Sequence, residues 1–121
     1  MSQELQLTGS FTFAKNGIAA FQRAVTALLV NVAGNGGIYD PGYTTGADTA
    51  LPLAGIAPRW AWFHNLDSAN SITIRAAVAG QKMFTLQPGE FAFGPLDPAI
   101  VAPSSLASAG SPLLEYCLLP T

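Results

Sequence analysis

The sequence predicts an all-β fold: an antiparallel β-sandwich or small jelly roll of about eight to ten short strands. Three observations predict it. Apolar and polar residues alternate with period two in short runs, as they do in half-buried strands. Gly, Pro, Asn and Asp punctuate those runs at close spacing. The stretch 59–96, RWAWFHNLDSANSITIRAAVAGQKMFTLQPGEFAFGPL, reads as four consecutive strands separated by turns.

Residues 3–14 form the first expected strand. Leu5, Leu7, Gly9, Phe11 and Phe13 fall on one side, and Gln6, Thr8, Ser10 and Thr12 on the other. Asn16-Gly17 follows, the strongest short hairpin signal in the chain. Residues 18–33 fit two periods. Ile18, Phe21, Val25, Leu28 and Val32 make a helical stripe, while Thr26, Leu28, Val30 and Val32 alternate as a strand. The β-branched tail favours a strand over 25–33 and leaves 18–24 open. Residues 34–58 are rich in Gly, Pro, Thr and Asp, with turn chemistry at Asn35-Gly36-Gly37 and Asp40-Pro41-Gly42. A long structured loop or a pair of short ribbons is expected there, with a brief edge strand at Leu51-Pro52-Leu53.

Within the organising stretch, strands are expected at 59–64, 71–78, 82–86 and 90–96. Ile72, Ile74, Ala76 and Val78 lie on one side of the second. Gln87-Pro88-Gly89 joins the last two. Pro88 supplies the fixed φ of a type II turn and Gly89 its positive φ. Asp97-Pro98 then turns the chain into a short segment at 100–102, and a small-residue piece follows between Pro103 and Pro112. The last strand, 113–119, sets Leu114, Tyr116 and Leu118 against Leu113, Glu115, Cys117 and Leu119. Neither a repeat nor a domain boundary is evident, so the 121 residues read as a single domain over 1–121.

Composition narrows the function. Charged residues make up 10% of the chain, against about 25% in an average soluble domain, and the net charge is −2. So few charges protect an isolated monomer weakly and fit a surface covered by partners in an assembly. Lys15, Arg23, Arg59, Arg75 and Lys82 are scattered singly, which leaves nucleic acid without an electrostatic footprint. The Met1-Ser2-Gln3-Glu4 start has no secretory pattern, and no apolar run reaches the roughly 18 residues of a membrane helix. One cysteine permits no intrachain disulfide, consistent with a reducing cytoplasm.

Enzyme chemistry is not expected. His64 is the only histidine, and it ends an apolar strand, where bonding a neighbouring loop is its ordinary role. Residues 86–91, with Pro88-Gly89, resemble the Pro-x-Gly turn of cupin-type jelly rolls, but one histidine cannot build a cupin metal shell. Asp40, Asp67 and Asp97 sit beside turn residues and read as Asx-turn acceptors rather than calcium ligands. Cys117 reads as a small buried hydrophobe. No catalytic, cofactor-binding or metal residue is assigned, and no small-molecule substrate is expected. Trp60 and Trp62, two residues apart, project from one strand face. Core packing is their first reading, an interface anchor the second and a sugar-stacking platform the third.

Asn65-Leu66-Asp67, Ser68-Ala69-Asn70 and the following Ser-Ile-Thr-Ile strand resemble a phrase of small virion proteins from tailed bacteriophages. Leu86-x-Pro88-Gly89-Glu90-Phe91, the closing Leu114-Glu115-Tyr116 and the opening strand before Asn-Gly resemble it too. The resemblance implies a head decoration or cement protein, a β-sandwich on the outer capsid that clamps neighbouring subunits, often as a trimer. Its implied partners are copies of itself and the major capsid protein, and its place is the virion surface after assembly in the host cytoplasm. A tail or neck accessory protein is the near variant, and a carbohydrate-binding sandwich using Trp60 and Trp62 the distant one. Candidate contact residues, from composition, are Ser2, Gln3 and Glu4 at the N-terminus, and Ile38, Tyr39 and Tyr43 in the 34–58 loop.

Overall fold

The computed structural model describes residues 5–15, 18–30, 38–44, 46–53 and 55–120. Ten strands and no helix are found among them. The chain divides into two compact units, Met1–Val32 and Ala33–Thr121, where the sequence shows no boundary.

The first unit is an antiparallel hairpin of β1 (Leu5–Lys15) and β2 (Ile18–Val30). Its register runs from Leu5 opposite Val30 to Lys15 opposite Ile18, shifting between Leu7 and Gly9 and again between Phe13 and Lys15. The alternative left open for 18–24 is thereby settled as strand. The helical stripe and the strand alternation shared residues, and pairing along β1 satisfies the backbone in the extended form. Asn16, Gly17 and residues 31–33 lie outside the described residues.

The second unit is a β-sandwich of two four-stranded sheets. One sheet has the order β3 (Ile38–Thr44), β10 (Leu113–Leu119), β5 (Trp60–Asn65), β8 (Phe91–Pro95). The other has the order β4 (Thr49–Ala50), β9 (Ser104–Ala107), β6 (Ile72–Arg75), β7 (Lys82–Leu86). Strand β6 pairs with β7, β5 with β8, β4 with β9 and β3 with β10. The second unit is thus a double ribbon folded at the β6–β7 tip and rolled, which is the jelly-roll solution to closing two antiparallel sheets.

The core lies between the sheets. Phe63, Ile72, Ile74, Leu114, Tyr116 and Leu118 are each at most 1% exposed, with Leu51, Leu86 and Leu96 around them. These residues come from alternate positions of their strands, the consequence of a two-residue side-chain period.

Asn65 is a buried polar residue, fully enclosed at the end of β5. Its Nδ2 donates to Asn70 O (2.8 Å) and Leu86 O (3.0 Å), and its Oδ1 accepts from Asp67 N (2.9 Å). The Asn65 backbone N–H donates to Glu90 O, and its carbonyl accepts from Gly89 N. One residue therefore fastens the 65–70 turn, the end of β7 and the 87–90 turn together. Asp67 Oδ2 completes the first turn by accepting from Ala69 N and Asn70 N. The 87–90 turn has the expected type II form, with Gly89 at φ 82° and Glu90 N donating to Gln87 O at 2.9 Å.

Three boundaries differ from expectation. Strand β6 stops at Arg75, and Val78 is 52% exposed in a turn whose Ala79 has a φ of 57°. Asp48 explains the stop. Its Oδ2 accepts from Ala79 N (2.8 Å) and lies 3.4 Å from Arg75 NH1, while Oδ1 accepts from Ser104 Oγ. The expected loop over 34–58 contains β3 and β4, and the strand falls at 49–50 rather than 51–53, because Leu51 turns inward to 2% exposure. The expected segment at 100–102 is not a strand. Strand β9 follows it at Ser104–Ala107, where Ser104 and Ser105 are fully buried. Gly94 and Pro95 do not interrupt β8, an edge strand where a missing N–H is tolerated.

Replacing Asn65 with Ala removes the partner of two carbonyls and an amide, of which the Leu86 carbonyl is buried and the others part-buried. A loss of about 2–4 kcal/mol in urea unfolding is expected, whereas Leu66→Ala, at an exposed site, shifts it by less than about 1 kcal/mol. Acid should also weaken the fold. Backbone N–H donors hold both carboxyls below the ordinary range, Ala79 first for Asp48 and Asn70 first for Asp67. Their contribution is complete above the unfolded carboxylate pKa of about 4 and is lost as pH falls through the depressed folded values. Urea midpoints should fall between about pH 4 and lower pH, and fall less steeply in Asp67→Asn; flat midpoints would contradict this.

Candidate functional site

Strand β5 has the sequence WAWFHN, apolar in both of its registers except at its end. Ala61, Phe63 and Asn65 face the core, so Trp60, Trp62 and His64 project from the opposite side, half-buried. Core packing, the first reading for Trp60 and Trp62, is therefore corrected. Phe63, at 1% exposure, occupies the inner side that alternation alone could not distinguish from the outer.

The ladder register assembles this outward face in rows. Tyr39 lies opposite Cys117, Cys117 opposite Trp62, and Trp62 opposite Phe93. In the next row Glu115 lies opposite His64, and His64 opposite Phe91. Trp62, Phe91 and Phe93 form a cluster of near-parallel rings. Trp62 and Phe91 stack at 5.2 Å and 23°, Phe91 and Phe93 at 6.4 Å and 17°, and Trp62 and Phe93 lie 6.1 Å apart. Phe91 and Phe93 are 55% and 50% exposed, unusual for large apolar rings that neighbour one another, and Tyr39, across β10 from Trp62, is 61% exposed.

Glu115 anchors the polar side of the cluster. Its Oε1 accepts from Trp62 Nε1 at 2.7 Å and lies 3.7 Å from His64 Nδ1; its Oε2 accepts from Tyr39 OH at 3.4 Å. His64 Nε2 is 3.2 Å from Gly89 O. A carbonyl only accepts, so Nε2 carries the proton of that bond. His64 thus fulfils the loop-bonding role expected of it, with the 87–90 turn as its partner. The Glu115 charge, before any other cause, raises the Tyr39 phenol above its ordinary value.

The remaining candidates sort differently. Tyr43 meets Tyr116 edge-on at 5.5 Å and 86°, packed against the core and partly buried. Ile38 pairs with Leu118 in the ladder. Ser2, Gln3 and Glu4 lie outside the described residues. Trp60 stands in the row of Leu119 and Pro95, with the Arg59 guanidinium 5.8 Å above its ring. Phe91, Phe93 and Glu115 were not among the candidates. Their outward phase was readable from alternation, but only strand pairing brings them beside Trp62.

Among the described residues, this face offers stacking surface and the Glu115 carboxylate. Burial pushes the Cys117 thiol up, away from the reactive thiolate. Asp40, Asp67 and Asp97 each accept backbone N–H bonds two or three residues ahead, as Asx turns do. No three His, Cys, Asp or Glu side chains gather as metal ligands among the described residues. Likewise no helix among them is long and apolar enough to cross a membrane.

In Glu115→Gln the Tyr39 phenol should titrate nearer its ordinary value, as followed by NMR at the Tyr39 ring carbon. An unchanged midpoint would mean that the carboxylate does not act on this face.

No family model, no curated protein and no solved structure matches this chain.

Proposed function

We propose that this chain is a non-enzymatic structural protein of a phage virion, a capsid decoration protein that binds neighbouring protein through the outward face of its β3–β10–β5–β8 sheet. The observation that carries the binding role is the exposed pair Phe91 and Phe93 against half-buried Trp62, with exposed Tyr39 two strands away on the same face. Aromatic rings grouped this way are the usual anchors of protein interfaces. The low content of charged residues, 10%, supports a surface made to be covered. The resemblance of the two turns clamped by Asn65 to those of small virion proteins supports the location.

Magnitudes favour multiple attachment. Three half-exposed rings offer roughly 300 Å² of apolar surface, or about 7 kcal/mol of gross burial. Association costs about 4–15 kcal/mol, so one copy on one such patch binds weakly. A self-associated trimer engages several sites at once and gains avidity without new contacts. The partners are thus copies of this chain and the major capsid protein. A tail or neck position is the variant of the same reading.

A second reading, carbohydrate binding, has one observation in its favour: near-parallel rings beside a carboxylate that could accept sugar hydroxyls. It would use Trp62 with Phe91 and Phe93 rather than the Trp60–Trp62 pair.

Purified protein mixed with empty capsids should co-sediment with them and raise their melting temperature. Phe91→Ala combined with Phe93→Ala should weaken co-sedimentation at least about tenfold while leaving the fold intact, since both rings are half-exposed. A solitary monomer that ignores capsids, with tryptophan fluorescence quenched by sugars, would overturn the proposal in favour of the second reading.

A further inference from the structure

The rings of the outward face border a carboxylate with no lysine or arginine ion pair from the described residues of the second unit. Arg75 pairs with Asp48 on the other sheet, Lys82 lies on β7 of that sheet, and Arg59 donates to Leu96 O beside Trp60. Near Glu115 the titratable nitrogen is His64 Nδ1, at 3.7 Å. Asp40, on β3 of the same sheet, stands in the row of core-facing Tyr116, and its Oδ1 accepts from Gly42 N.

We infer that this face takes a cationic side chain, an arginine presented by a partner protein, with its guanidinium against Trp62, Phe91 and Phe93 and its N–H groups on Glu115. The inference rests on the protein-binding reading above and names the chemistry of the partner group.

Charge complementarity argues for this occupant. Aromatic faces carry the negative side of a quadrupole, so the ring cluster and the carboxylate attract the same sign of charge. Glu115 is also held ready. The Trp62 indole N–H fixes Oε1 at 2.7 Å, and Oε2 has only the long 3.4 Å contact from Tyr39. An ionised carboxylate has about four acceptor positions, so room for two guanidinium N–H groups remains. The raised Tyr39 phenol is consistent with a carboxylate charge that groups on this face still feel. Arginine suits the site better than lysine, because a planar, weakly hydrated guanidinium stacks on rings and forks onto a carboxylate. An acidic partner segment would meet repulsion from Glu115.

The chain has two tryptophans, so its indole N–H groups give two resolvable NMR signals in the ¹⁵N-labelled full chain. Titration with acetyl-Gly-Arg-Gly-amide should move the Trp62 indole signal saturably and the Trp60 signal less. Acetyl-Gly-Lys-Gly-amide should bind more weakly, and acetyl-Gly-Gly-Gly-amide should produce no saturable shift. Glu115→Gln should weaken the arginine peptide at least about tenfold with an unchanged unfolding midpoint, as expected for loss of a charged partner. Phe91→Ala, at a half-exposed ring, should weaken it as well and serves if the Glu115 variant is unstable. Equal shifts from the triglycine peptide, no shift from the arginine peptide, or a saturable shift from methyl glucoside alone would overturn the inference. Capsid co-sedimentation separates the two proposals. Capsid binding without arginine-peptide binding removes only the cation site, and the reverse result removes the virion role while leaving the site.

Discussion

The side-chain amide of Asn65 is the constraint on which the sandwich body depends. A buried amide is costly unless its donors and acceptor are met, and here the polypeptide meets them from three directions. The bonds join the end of β5 in one sheet to the end of β7 in the other, so the two layers are fixed in register at that edge. Every outward residue of β5 inherits its position from this anchor. His64, next to Asn65, reaches the 87–90 turn partly because Asn65 holds that turn against the strand.

A rolled double ribbon separates building from binding. Inner positions of β5 and β10 hold Phe63, Leu114, Tyr116 and Leu118, and their outer neighbours are free to serve another purpose. Trp62, Glu115 and Phe93 are outer residues of three adjacent strands, placed side by side by the ladder rather than by a loop. A face built on strands is rigid, so a partner loses little by waiting for loops to order. The indole-to-carboxylate bond adds to that rigidity by fixing a side chain that would otherwise sample several rotamers.

Much of the fold was legible because alternation and turn chemistry agreed. Strand β10 keeps its predicted limits and faces, and Gln87-Pro88-Gly89 folds as its residues dictate. Strand β9 was hidden because Ser104 and Ser105 carry no strand signal; their place is decided by pairing with β4 and β6. The outward face was half legible. Alternation put Trp60 and Trp62 together, but an apolar strand on both sides cannot declare which side is inner. The answer comes from Phe63 and its neighbours in the core, a tertiary fact. Glu115 was visible as a lone charge in an apolar strand, yet its contact with Trp62 joins residues 53 positions apart.

The nesting of the ribbon also sets an order on how the body forms. Strands β6 and β7 meet across a short turn, whereas β3 and β10 bring together residues as distant as Ile38 and Leu118. Closing a longer loop costs more entropy, though only about 0.6 kcal/mol for each doubling. The tip can therefore zip first and each outer pair close a loop already shortened by the one inside it. Because Glu115 rides on β10, the outward aromatic face with its carboxylate is assembled only when that last, widest closure is made.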